Sequence, residues 1–199
     1  MFAYCENNPV NMVDPSGCAP MDTLLKEMRD CILGKKPNTM GWTSVDLLAV
    51  KQAILGIGTF VSPVDHAAYG ASRSSGKAHN GVDYYPKDSS NKRGSYGADG
   101  TPKNVYAMTY GVVIKYISNF YAGTSAIVVD HGNNFIAVYG EIETGLRAGD
   151  IVVKGQKIGK MKLSTQNTLM LHLGVYNGKY GDKYQRNPTF TYSFPDRRR

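Results

Sequence analysis

Ser125-Ala126-Ile127-Val128-Val129-Asp130-His131-Gly132-Asn133-Asn134-Phe135-Ile136-Ala137-Val138-Tyr139 is the stretch that decides the fold. Two apolar runs, rich in β-branched and aromatic residues, flank Gly132-Asn133-Asn134. Each run is too short for a helix, and Gly-Asn-Asn supplies the left-handed backbone that a tight hairpin needs. Working outward, the same grammar recurs at Thr59 to Val64, Val105 to Met108, Gly111 to Ile117, Ile151 to Val153 and Leu169 to Tyr176. Turn chemistry separates these runs, as in Leu146-Arg147-Ala148-Gly149-Asp150 and Lys154-Gly155-Gln156-Lys157. Residues 86–104 are polar and read as a long loop. Short strands joined by turns predict an antiparallel sheet or half-barrel, so the fold class is mainly β.

Upstream the pattern changes. Apolar positions 24, 25, 28, 31 and 32 recur at helical spacing between Asp22 and Gly34, and a second helical stripe runs from Ser44 to Leu55. The expected organisation is a turn-rich segment over 1–17, a helical pair within 18–58 and a β domain over 59–199, α+β overall. The helices carry no evident chemistry.

The chain has 199 residues and a net charge of +7, from 23 Lys and Arg against 16 Asp and Glu. That excess suits an anionic partner without choosing one. No Lys/Arg cluster is interleaved with aromatics along a strand, which argues against a nucleic-acid partner. Cys5, Cys18 and Cys31 are odd in number and form no CxxC pair, so neither a disulfide framework nor a thiolate metal site is expected. The first residues lack the basic start and apolar run of a signal peptide, and no stretch is apolar for long enough to span a membrane.

The chemistry centres on Ala78-His79-Asn80-Gly81-Val82-Asp83 and on Leu171-His172-Leu173. On a straight strand His79 and Asp83 would stand ~13 Å apart, too far to share an ion. A bend at Gly81 would bring them together. With His172 they make two imidazoles and a carboxylate, a set that leaves the fourth position of a zinc ion open.

The region from about Phe60 to Tyr192 resembles the lysostaphin/LytM-type zinc metallopeptidases. His79 to Asp83 matches that family's H-x-x-x-D signature. In Val128-Val129-Asp130-His131-Gly132-Asn133, the last four residues match the D-H-G-N of its V-x-x-D-H-G-N strand. Gly149 to Gly159 matches G-D-x-V-x-x-G-Q-x-I-G, Met170 to Val175 its closing H-L-H-F-E-V strand, and Asn187-Pro188 its final dipeptide. The resemblance implies a Zn²⁺ cofactor held by His79, Asp83 and His172, and hydrolysis of amide bonds in peptidoglycan peptides. Two departures stand out. The family's two additional histidines beside the metal are replaced here by Met170 and Glu141. Either Glu141 takes over as general base, or the site is catalytically degenerate and the domain serves as a wall-binding module. Tyr139, Tyr84, His131 or the backbone would then have to serve the oxyanion, with His131 more readily structural than catalytic.

Residues 1–17, with Asn-Pro and Asp-Pro-Ser-Gly, resemble the closing motif of the Rhs/YD-repeat core: Asn8 to Gly17 match N-P-x-N-x-x-D-P-x-G, and Tyr4 stands four residues before Asn8 where the motif Y-x-N-P-x-N-x-x-D-P-x-G has its tyrosine two before. That resemblance implies the toxin end of a polymorphic effector. It also implies delivery by a secretion apparatus into the periplasm of a rival bacterium, and a cognate immunity protein.

Overall fold

The computed structural model describes residues 65–90, 94–132 and 134–186. The expected 1–17 segment, the helical pair, the strand at Thr59 to Val64 and Asn187-Pro188 lie outside them. Among the described residues there are two 3₁₀ turns, Asp65–Ala67 and Asp182–Tyr184, and nine strands. The strands are β1 (Val82–Tyr84), β2 (Asn104–Tyr106), β3 (Gly111–Ile117), β4 (Ser125–Asp130), β5 (Phe135–Glu143), β6 (Ile151–Val152), β7 (Lys157–Met161), β8 (Leu171–Asn177) and β9 (Gln185–Arg186). All pair antiparallel in one sheet ordered β1-β8-β5-β4-β3-β6, with β7 on β5, β2 on β7 and β9 on β8. The mainly β, antiparallel class expected from the sequence is the class observed. The hairpin at 125–139 forms β4 and β5, though β5 runs on to Glu143. The sequence reading missed β7, because Lys157-Ile158-Gly159-Lys160-Met161 alternates around a glycine and two lysines.

Strand alternation gives the sheet two unlike faces. Across β1, β8, β5 and β4 the register aligns Val82, Leu173, Tyr139 and Ile127 on one face. These join Val105, Val113, Phe135, Ile142, Met161, Leu171 and Val175 in the main core. The next row along aligns Asp83, His172, Gly140 and Ala126 on the opposite face. That face carries a smaller apolar floor of Ala126, Val128, Ile136, Val138 and Tyr176, with Phe120 packed on it.

One irregularity matters for the site. On the β4 side, Ala126 pairs with Gly140 and Ser125 with Ile142, so Glu141 is an extra residue in the ladder. On its other side, β5 pairs with β8 up to Gly140 and with β7 from Ile142. Glu141 therefore sits where the sheet forks. It is a β-bulge residue with a left-handed backbone, φ +61°. The bulge breaks the two-residue period: Tyr139 and Ile142 both stay in the core, and Glu141 is turned out of it.

Candidate metal centre and its surroundings

His79 arrives from a short hairpin. Gly70 N–H donates to the His79 carbonyl and His79 N–H to the Ala71 carbonyl, while Ser72 bridges Ala78. The chain then bends at Gly81 and enters β1, which delivers Asp83. Asp83 is the cross-strand partner of His172 on β8. Glycine at 81 is required for space: a Cβ there would lie 2.6 Å from Cε1 and Nε2 of the His172 ring.

The three side chains converge. His79 Nε2 lies 3.2 Å from His172 Nδ1 and 3.2 Å from Asp83 Oδ1, and His172 Nδ1 lies 3.0 Å from the same oxygen. All three residues are buried. Ligands bonded at 2.0–2.1 Å around a tetrahedral zinc stand about 3.3 Å apart, so this spacing fits that ion. The ring orientations agree with it. His79 Nδ1 lies 3.0 Å from the Ala68 carbonyl, which can only accept, so Nδ1 carries the proton and Nε2 presents a lone pair. His172 Nε2 is buried without a hydrogen-bond partner, and Nδ1 is the nitrogen aimed at the cluster. Burial alone would raise the Asp83 carboxyl, but hydrogen bonds with His172 and His79 outweigh it and hold the group well below the usual carboxylate range. Arg73 Nη2 donates to the other oxygen, Oδ2, at 2.9 Å. Asp83 is thus an anion with Oδ1 turned to the two imidazoles.

Glu141 is buried beside this cluster, and the charges of Asp83 and Arg73 both reach it. Burial, then Asp83, pushes its carboxyl up to about 8, against the opposing pull of a hydrogen bond from Thr168 and of Arg73. A divalent cation at the cluster would favour the carboxylate.

The remaining expected residues are placed as follows. His131 is not with the cluster. Its Nδ1 donates to the Tyr110 carbonyl at 2.8 Å, and its Nε2 pairs with the Tyr139 hydroxyl at 3.0 Å. The ring stacks on Phe135 in the core, and burial holds its pKa down to about 4. Its candidacy as a catalytic group gives way to a structural role. Tyr139 receives Met108 N–H on its hydroxyl, and Tyr84 belongs to the same core, so neither faces the site. Met170, in place of histidine, is buried against Ala67 and Tyr85, with Tyr96 beside it. Tyr85 shares strand parity with Asp83, feels the charges of Asp83, Arg73 and Glu141, and pairs through its hydroxyl with His66 Nε2 at 3.0 Å. The two-residue step from Asp83 was the available signal that Tyr85 lies on the site's face. Phe120 lies 5.3 Å from the His172 ring, over Gly140, where a Cβ would meet the phenyl edge at 2.4 Å.

Several solved structures are similar to the chain. The catalytic domain of the antimicrobial peptidase lysostaphin from Staphylococcus simulans is 19% identical, over 61% of this chain and 85% of that one, with a TM-score of 0.48. A mutant catalytic domain of the prophage-encoded M23 protein EnpA from Enterococcus faecalis is 21% identical, over 66% and 89%, with a TM-score of 0.46. A zinc-containing peptidase from Vibrio cholerae is 23% identical, over 66% of this chain and 40% of that one, with a TM-score of 0.44. No curated protein sequence matches. The sequence pattern of Peptidase family M23 matches residues 77–186, more than half of the chain, and spans all three clustered residues together with Glu141. The chain belongs to Peptidase family M23.

Proposed function

We propose that the domain is a zinc-dependent endopeptidase that hydrolyses amide bonds in peptidoglycan peptides, with His79, Asp83 and His172 as metal ligands and Glu141 as general base. The observation that carries this reading is the three-ligand cluster, spaced for one ion, with a buried carboxylate beside it. A zinc ion there would polarise the scissile carbonyl and acidify a water molecule. The chain's own groups do the rest. Asp83 and the two imidazoles hold the ion, Ala68 fixes the His79 tautomer, and Arg73 steadies the Asp83 carboxylate. Glu141 takes the proton of the attacking water as the oxygen adds to the carbonyl carbon. It returns that proton to the leaving nitrogen as the C–N bond breaks. Phe120, half-buried over the apolar floor and beside the His172 ring, offers an aromatic wall for an extended peptide.

The Rhs-like segment at 1–17 supports the wider setting. In this proposal the chain is the toxin end of a polymorphic effector, carried by a secretion apparatus to the periplasm of a target bacterium and neutralised by an immunity protein. Among the described residues no helix is long and apolar enough to cross a membrane. Met170 favours a second reading. Its side chain is packed away in an apolar cluster and has no acid–base chemistry, which suits a module that binds the wall without cutting it.

Digestion of purified sacculi decides between them. The wild type should release fragments bearing new amino termini. Glu141→Gln should retain zinc and lose on the order of 10²–10⁴ in rate. Association with sacculi and no new amine would replace the peptidase reading with the binding module. Full activity in Glu141→Gln would remove Glu141 as base. Lysis on export of the domain to the periplasm, absent when it stays in the cytoplasm, is the result expected of a periplasmic toxin.

A further inference from the structure

The connection from β7 to β8 crosses the fork in the sheet and grips Glu141 at two points. Lys162 N–H donates to the Glu141 carbonyl at 3.0 Å, and Thr168 Oγ1 lies 3.2 Å from Glu141 Oε2. Between these points the loop closes on itself. Ser164 N–H donates to the Thr168 carbonyl, and Asn167 N–H to the Ser164 carbonyl. Ser164 Oγ lies 2.7 Å from Thr168 Oγ1, and both residues are buried.

Counting donors fixes the direction of this chain. Ser164 Oγ accepts two N–H groups, from Gln166 at 3.2 Å and from Thr168 at 3.1 Å. A hydroxyl has two acceptor sites and one proton. With both acceptor sites taken, Ser164 can meet Thr168 only as a donor. Thr168 Oγ1 therefore accepts from Ser164, and its own proton points to Glu141 Oε2. Oε2 is then an acceptor; an unprotonated carboxyl oxygen accepts better than a hydroxyl oxygen, so a proton taken up by the carboxyl is directed to Oε1.

We infer that the Ser164–Thr168 hydroxyl pair is a positioning device for Glu141, which reserves Oε2 as a permanent acceptor and leaves Oε1 as the oxygen that takes and returns the proton. The inference rests on Glu141 being the base. Three features agree with it. The Glu141 backbone is already fixed in a left-handed bulge. Its carbonyl is held by the same loop that holds its carboxyl. Oε1 has no hydrogen-bond partner among the described residues and is not sealed from solvent. The base can thus cycle one proton on Oε1 while every hydrogen bond behind it stays intact. Thr168 and Ser164 touch neither water nor substrate in this scheme; they act through Glu141.

The test uses the zinc-loaded protein on sacculi at graded sacculus concentrations. Thr168→Val removes the hydroxyl at nearly constant shape, and Thr168→Ser restores it. The expected result for Thr168→Val is a 10- to 100-fold fall in maximal rate, the usual scale for partners of a site residue, with half-saturation and bound zinc unchanged. Thr168→Ser should recover most of that loss. In a Glu141→Gln background, Thr168→Val should cost nothing further, because it acts only through Glu141. A second readout needs no activity: a crystal structure of Thr168→Val should show the Glu141 carboxylate displaced or in several rotamers, against a single position in the wild type. Wild-type rate in Thr168→Val, or an unmoved Glu141 carboxylate in its structure, overturns the inference. So does a folded Thr168→Ser no better than Thr168→Val. A wild type that cuts nothing would sink the base reading, and the position of Glu141 in Thr168→Val would still judge the grip.

Discussion

On the core face of the sheet His131, just past β4, has both ring nitrogens bonded, whereas on the opposite face His172 of β8 has a buried nitrogen with no partner. The contrast runs through the two faces. The core face carries Tyr139, Leu173, Val82 and Ile127 in an unbroken register, with His131 and Tyr139 bonded to each other and to backbone groups. The opposite face gathers an anionic Asp83 beside two imidazoles, and Glu141, left-handed in backbone and with its carboxyl raised by burial. It also needs glycines at 81 and 140 because rings occupy the space of their side chains. One face is built for stability and the other holds groups that a stable fold would not choose. Sites that carry chemistry are where such local conflicts are retained.

The largest test removes a ligand. His172→Ala should abolish stoichiometric zinc binding and reduce sacculus hydrolysis to background, since two remaining ligands do not make a catalytic set. The metal-free variant should also lose stability, because it removes a hydrogen bond that keeps the buried Asp83 ionised and empties the space beside Phe120. Stoichiometric zinc in His172→Ala would remove His172 from the ligand set and dissolve the division between the faces.

The core face makes the opposite prediction. His131 Nδ1–H donates to Tyr110, and Nε2 receives the Tyr139 hydroxyl proton, so a second ring proton has no acceptor. Its folded pKa of about 4 lies below the ordinary 6.5. The unfolded chain therefore takes up the proton first as pH falls. The contribution is complete above 6.5 and is lost between 6.5 and about 4, on the order of 3 kcal/mol over that window. His131→Gln should flatten the urea-unfolding stability between pH 7 and pH 4, whatever its absolute stability. An unchanged slope would mean that His131 is not the neutral core group described.

How much of this was legible follows from the same contrast. Regular features were readable. The hairpin at 125–139 gave the sheet, and the His79–Asp83 spacing demanded a bend that Gly81 provides. The two-residue period also rules out Tyr84 as a site residue, since Asp83 faces the site and its neighbour must face the core. Irregular features were not readable. Glu141 stood out in the sequence only as a replaced residue. Its aim depends on a bulge opposite β4 and on the change of partner from β8 to β7, which bring together segments distant in sequence. The grip by Ser164 and Thr168 depends on the same fork. His66 and Tyr85 meet through loop geometry that no spacing encodes.

The smallest effect is the most diagnostic, because it should move stability and activity in opposite directions. A non-glycine residue in the left-handed region costs roughly 1–2 kcal/mol, and Glu141 adds to this a buried carboxyl whose pKa rises to about 8. A raised carboxyl pKa means that the folded state favours the proton. Its contribution to stability is present below 4.5 and is lost as pH rises toward 8. Glu141→Gly relieves the backbone strain and removes the carboxyl, against the greater chain entropy of glycine. The metal-free variant should gain about 1 kcal/mol in urea unfolding, with the gain larger at pH 8 than at pH 5, while hydrolysis falls to the level of Glu141→Gln. A loss of stability instead would mean that the contacts from Lys162 and Thr168 hold the fork of the sheet together, and that Glu141 belongs as much to the fold as to the site.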